Sequence, residues 1–207
     1  TVALSGDGGD EGFLGYNRYL AMRLVPLLQK CPEVLRTAAI RALAKLRHPR
    51  ARQAMRLLQM CAGTTLTNYL NAISHFTPED KSRLYGDAHI RRLAGHHSGT
   101  DSAAESYLRR FFPQGLPLLQ ALSYLDIHTY LPEDILTKVD IASMANSLET
   151  RSAFLDQEVI AFALSLSPEI KMPGLKKKHL LKTVFSDLMP ASVQTRGKMG
   201  FGVPLEH

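Results

Sequence analysis

The feature that most constrains this chain is its opening. An apolar stretch, Thr1-Val2-Ala3-Leu4, runs straight into Ser5-Gly6-Asp7-Gly8-Gly9-Asp10-Glu11. The first run reads as a strand, and the glycines that follow end it in a loop, residues 5–15. Helical spacing sets in beyond it, so the loop joins a strand to a helix. In open α/β sheets ligands bind at such carboxyl ends of strands. Small residues there let the backbone approach a ligand closely and leave N–H groups available to anionic or polar groups. Asp7, Asp10 and Glu11 add three carboxylates within five residues. Such charges repel one another unless a Mg2+ ion or a cationic group sits among them; a plain acidic turn is the alternative.

Three familiar loops are excluded. An EF-hand needs an acidic residue or Asn at position 9 and Glu at 18, where the chain has Gly9 and Arg18. Glu11 stands where a dinucleotide-binding G-x-G-x-x-G has its last glycine, and no Gly-Lys-Ser/Thr follows for a phosphate-binding Walker loop.

Beyond the loop helices dominate. Residues 18–60 carry apolar positions at helical periods, with interruptions expected around Pro26, Pro32 and Pro49. Thr77-Pro78-Glu79-Asp80 has the form of a helix start, and residues 86–104 that of a mobile connection. Helices are expected over 116–130 and 133–147, the second opened by Pro132-Glu133-Asp134. Val159, Phe162, Ala163 and Leu166 form one apolar stripe; Leu181, Val184, Phe185 and Leu188 form another, ended by Pro190. Asp156 is placed to cap a helix over 157–166. Glu149 and Arg151 read as an ion pair or capping set, and Lys176, Lys177 and Lys178 as solvated. Lys138 and Asp140 are open between site and scaffold.

Length and composition bound the rest. With 207 residues, 45% hydrophobic and 21% charged, the chain is one domain or a large piece of one. No run of about 18 apolar residues spans a membrane and no signal pattern opens the chain, so cytoplasm is the expected location. Cys31 and Cys61 read as free thiols, and the adjacent His96 and His97 lack zinc-ligand spacing. The formal charge of +6 owes much to Arg36, Arg41, Lys45, Arg47, Arg50, Arg52 and Arg56. Interleaved leucines and alanines make that stretch a solvated helix face; the competing reading is a nucleic-acid footprint. Leu205-Glu206-His207 resembles the start of an expression tag, so Glu206 and His207 are set aside.

Four blocks then carry a family likeness. Ser5-Gly-Asp-Gly-Gly-Asp-Glu with Gly15-Tyr16-Asn17-Arg18-Tyr19 is the first, and Leu131-Pro-Glu-Asp-Ile-Leu-Thr-Lys138-Val-Asp140 the second. The third is Ser143-Met-Ala-Asn-Ser-Leu-Glu149-Thr-Arg151 with Phe154-Leu155-Asp156, and the fourth Arg196-Gly-Lys198-Met-Gly200-Phe201-Gly202-Val-Pro204. In this order they resemble the synthetase domain of glutamine-hydrolysing asparagine synthetases, while residues 30 to 120 carry little signature.

The resemblance implies an α/β fold of the adenine nucleotide alpha-hydrolase type, of which this stretch is a mainly helical, carboxyl-terminal part. It implies that ATP, with Mg2+, adenylates the side-chain carboxylate of aspartate. Ammonia from a glutaminase domain not found in this chain then displaces AMP. It assigns Ser5, Gly6 and Gly8 to the nucleotide site, Asp7 to orienting or deprotonating the amine, Asp10 to the Mg2+–pyrophosphate and Lys198 to neutralising developing charge. Lys178 falls at a family lysine. Neither the S-G-G-x-D-S pyrophosphate loop nor the glutaminase cysteine is present, so the chain alone is expected to be inactive. No nucleic-acid or membrane partner is implied; a homodimer is an open possibility for the intact enzyme. Ile141 stands where the family usually has Arg, and Ser152-Ala153 where Val-Pro is common. These departures leave open an acceptor carboxylate other than aspartate.

Overall fold

The computed structural model describes residues 1–46, 48–74, 76, 80, 83–86, 92 and 103–195. The proposed helix start at 77–79, nearly all of the 86–104 connection and the loop that carries Lys198 lie outside the described residues.

Among the described residues two strands form a parallel sheet. β1 (Val2–Ser5) pairs with β2 (Glu149–Ser152), in register from Val2 opposite Glu149 to Ser5 opposite Ser152. The rest is helical, so the chain is a mostly helical body with a small parallel sheet, consistent with the α/β class. After β1 come α1 (Gly9–Gly12), α2 (Asn17–Gln29), α3 (Glu33–Ala44), α4 (Pro49–Gln59) and α5 (Thr65–Ile73). Then follow α6 (Ala103–Phe111), α7 (Leu118–His128), a π-helical turn (Leu131–Leu136) and α8 (Thr137–Met144). Beyond β2 lie α9 (Gln157–Ser165), α10 (Pro168–Lys171), α11 (His179–Val184) and α12 (Ala191–Thr195).

The core is made where α2, α5, α6 and α7 meet. Tyr19, Met22 and Val25 supply the inner face of α2 at the i, i+3, i+6 spacing of one helical stripe, against Leu66 and Tyr69, Leu108, and Leu119, Leu122 and Leu125. Pro26 does not interrupt α2 as expected; the helix continues through it to Gln29. The proline removes one backbone bond, but the buried residues just before it pin the inner face, and packing outweighs that loss. Pro32 and Pro49 do punctuate: the first precedes α3, and the second opens α4, where His48 Nδ1 accepts from Arg50 N–H at 3.2 Å.

The expected helix over 133–147 is divided. Its first part is the wide π-helical turn, and Thr137 Oγ1 donates into it to the Pro132 carbonyl at 2.8 Å. A side chain inserted into the ladder in this way opens a helix locally. Asp156 caps α9 as read, its Oδ1 accepting from Glu158 N–H at 2.8 Å. The stripe Leu181–Leu188 is helical only to Val184.

The basic stretch behaves as a solvated face. α3 buries none of its residues and α4 only Ala51. Arg36 Nη1 donates to the carbonyls of Gln29 and Cys31 at 3.1 and 2.9 Å, closing the carboxyl end of α2. Cys31 and Cys61 are free thiols. Among the described residues no helix is long and apolar enough to cross a membrane.

Candidate active site

β1 and β2 run in the same direction, so both present their carboxyl ends at one edge, and the acidic loop leaves from there. Ser5 Oγ donates to Asp7 Oδ2 at 2.8 Å, and Ser152 Oγ, at the end of β2, donates to the Asp7 carbonyl at 2.5 Å. The turn is thus tied to both strands. Gly8 holds a left-handed conformation at φ +82°, and a Cβ there would lie 2.5 Å from Leu155 Cδ2. Its glycine is accounted for by packing under the Ala153–Leu155 turn. A Cβ on Gly6 would meet nothing within 4 Å, so that backbone is open to approach.

The three carboxylates diverge. Asp7 turns to Ser5, while Glu11 is buried and accepts from Tyr16 Oη–H at 2.6 Å. Burial raises the pKa of Glu11, and the Tyr16 hydrogen bond partly offsets that rise. Burial, with the same hydrogen bond, pushes the Tyr16 phenol up. Asp10 faces a cation: its Oδ1 lies 2.9 Å from Lys178 Nζ. Lys178, expected to be solvated, instead reaches the acidic loop from the start of α11, where its backbone is left-handed at φ +51°. Gly15 makes the pairing possible. A Cβ on it would fall 1.8 Å from Asp10 Oδ1 and 2.4 Å from Lys178 Cε.

Asp7, Asp10 and Glu11 therefore do not form a three-carboxylate cage. Among the described residues no group of three or more His, Cys, Asp or Glu side chains is placed to hold a metal. Mg2+ is commonly bound by one or two carboxylates, with waters and substrate phosphates completing its shell. Asp10, partly exposed at the loop, fits that mode.

Behind the loop lies a network that sequence reasoning missed. Arg18 donates from Nη2 and Nε to Asp126 Oδ2 at 2.8 and 3.2 Å. Tyr19 Oη–H donates to the same oxygen, and Tyr69 Oη–H to Oδ1 at 2.5 Å. The guanidinium carbon lies 3.8 Å from the Tyr16 ring centroid and 4.2 Å from that of Tyr130. Burial holds the phenols of Tyr19 and Tyr69 well above their ordinary pKa, with the Asp126 charge adding to it. Burial would lower the Arg18 pKa, but Tyr69 and Asp126 outweigh it and raise it. The readable signal was Asp126 itself, one acid within the apolar run 118–127.

The remaining candidates fall outside this centre. Glu149 and Arg151 pair at 2.7 Å on the exposed side of β2. Lys138 lies 3.9 Å from Asp134, one helical turn away. Lys171, not singled out by the sequence, is fully buried and donates to the Ala163 carbonyl at 2.8 Å; burial lowers its pKa to about 8.

A strand-end acidic loop, an Asp–Lys pair and a buried Arg–Asp–Tyr support now stand together, and comparison with known proteins gives them a family. The asparagine synthase family model matches residues 1–207. The chain belongs to the asparagine synthase family. It is 30% identical over 209 residues to asparagine synthetase [glutamine-hydrolyzing] 1 of Bacillus subtilis, aligning over 100% of its own length and 31% of that protein. It is 32% identical over 210 residues to putative asparagine synthetases [glutamine-hydrolyzing] of Mycobacterium bovis and Mycobacterium tuberculosis, covering 30% of each. The chain thus spans about a third of the length of these relatives. No solved structure matches it. The acidic loop at the strand ends and the Tyr16–Tyr19 segment that braces it are therefore parts of an asparagine synthase domain.

Proposed function

We propose that this chain supplies part of the synthetase site of an enzyme that forms asparagine. In that reaction aspartate and ATP give a β-aspartyl-adenylate and pyrophosphate, and ammonia released from glutamine elsewhere in the enzyme displaces AMP. The carrying observation is the loop at the carboxyl ends of two parallel strands, with Asp7 tied to both and Asp10 facing a cation.

In this reading the open backbone at Gly6, with Ser5, lies against the nucleotide, and Gly8 shapes the turn beneath it. Asp7 orients the attacking ammonia or accepts its proton. Asp10 would hold Mg2+ on the pyrophosphate side, where the ion would supply charge neutralisation for the phosphates. Lys198 neutralises charge on the phosphate and on the tetrahedral intermediate. α12, which leads toward Lys198, is tied back to α11, since Lys182 Nζ donates to the Gln194 carbonyl at 2.8 Å. α11 in turn begins next to Lys178, which pairs with Asp10.

Among the described residues β1 pairs only with β2, and its exposed Val2 and Leu4 support further strands beyond it, as in an adenine nucleotide alpha-hydrolase sheet. A second reading changes only the acceptor. Ser152, where Val is common in the family, hydrogen-bonds the Asp7 carbonyl, and Ile141 is exposed where Arg is usual. These departures leave the acceptor carboxylate open.

Lys198→Ala in the full-length enzyme tests the proposal. Turnover falls about 10²–10³-fold if the lysine is the electrostatic stabiliser; unchanged turnover overturns that role. The chain alone is expected to show no ATP–pyrophosphate exchange. Comparing asparagine formation with amidation of other carboxylates by the full-length enzyme separates the two acceptor readings.

A further inference from the structure

Three observations converge on one lysine. Lys178 Nζ sits 2.9 Å from Asp10 Oδ1, the two side chains being 34% and 22% exposed. The lysine holds a left-handed backbone at φ +51°, a conformation that costs a residue with a side chain on the order of 1–2 kcal/mol. Gly15 leaves room where any Cβ would strike both Asp10 Oδ1 and Lys178 Cε. The pair is half-buried, and an ion pair still open to solvent contributes little stability, so strain and a required glycine are not explained by stability alone. Uncommon backbone conformations that persist cluster at functional sites.

The geometry points to Lys178 as a placeholder cation: it occupies Asp10 when no metal is bound, and a divalent ion must displace it to take that carboxylate. This rests on the reading of Asp10 as the metal ligand and extends it to a residue that reading left unassigned. An ammonium and a dication on one carboxylate repel strongly even at the dielectric of a protein surface. The lysine stem is flexible enough to swing away while its backbone stays in place. The consequence is ordered binding. Free metal competes with Lys178 for Asp10, while metal arriving with polyphosphate brings anionic charge that the released ammonium can face. The device keeps the site from filling with metal before nucleotide.

The test uses Mn2+ alone, titrated into the full-length, metal-free protein and followed by the paramagnetic resonance of the free ion. Lys178→Gln should bind Mn2+ about three- to tenfold more tightly than the parent, by loss of a competing charge. Lys178→Arg, which keeps the cation, should bind like the parent, and Asp10→Asn should bind more weakly. Should Asp10→Asn weaken binding while Lys178→Gln leaves it unchanged or weaker, the placeholder role fails and the metal reading stands. Should Asp10→Asn bind like the parent, the metal reading fails and the placeholder with it. A second measurement needs no variant: acetylation of Lys178, read by peptide mass spectrometry, should quicken several-fold when Mn2+ saturates the parent. An unchanged rate overturns the displacement.

Discussion

Arg18 and Asp126, 108 positions apart in sequence, meet at 2.8 Å with Asp126 wholly buried. The pair joins the start of α2, just beyond the acidic loop, to the middle of the core, with four tyrosines lending hydroxyls or ring faces. Removing one partner of such a pair strands the other charge, which typically costs about 3 to 5 kcal/mol. Asp126→Ala is expected to destabilise the protein by that amount in denaturant unfolding. Tyr69→Phe, which removes one neutral donor, is expected to cost about 1 to 3 kcal/mol.

Gly15→Ala is expected to damage the site more than the fold. The added methyl would fall 1.8 Å from Asp10 Oδ1 and 2.8 Å from its Cγ, so the Asp10 carboxylate itself must leave its place at the loop. Overpacking of this kind costs about 1 to 3 kcal/mol. The larger effect is expected in calorimetric titration with Mg2+ and ATP, as weaker nucleotide binding.

Lys171 gives the protein a pH signature. Its pKa is about 8 folded against 10.5 for the ordinary side chain, because burial disfavours the ammonium. Between those values the unfolded chain holds a proton that the folded chain has released, so stability rises with pH across that window. The cost below pH 8 is on the order of 3 to 4 kcal/mol, since each pH step between the two values is worth about 1.4 kcal/mol. Unfolding followed from pH 7.5 to 10 should show the rise, and Lys171→Met should abolish it.

The open side of β1 is expected to be sticky. Val2 is 57% and Leu4 83% exposed on a strand that pairs only through β2 among the described residues. Such an edge invites pairing with another chain. Sedimentation of this stretch on its own should show self-association at high concentration, and Leu4→Lys should reduce it.

What could be read from the sequence was what is local. The strand–loop–helix start, the Asp156 cap and the Glu149–Arg151 pair all depend on residues a few positions apart. The separation of the three carboxylates was not legible because spacing says nothing of side-chain direction: Asp10 and Glu11 are neighbours, yet α1 sends one to Lys178, a cationic group at the loop, and the other into the core. Pro26 looked like an interruption because a proline's cost is local, while the packing that overrides it is tertiary. Arg18–Asp126 and Asp10–Lys178 were hidden for a common reason: their partners come from opposite parts of the chain. Gly15 was the available clue to the second, since a glycine at that point marks a close approach.

The register of Val2 with Glu149 sets an order of assembly. Of these two strands β1 is made first, and it cannot pair with β2 until nearly 150 further residues exist, which at a ribosomal pace of about 5–20 residues per second is a wait of roughly 7 to 30 seconds. The helical core, whose contacts are more local, is free to form in that interval. The acidic loop takes its working shape only when β2 arrives and Ser152 closes on Asp7. The shape of this loop therefore depends on residues made long after it.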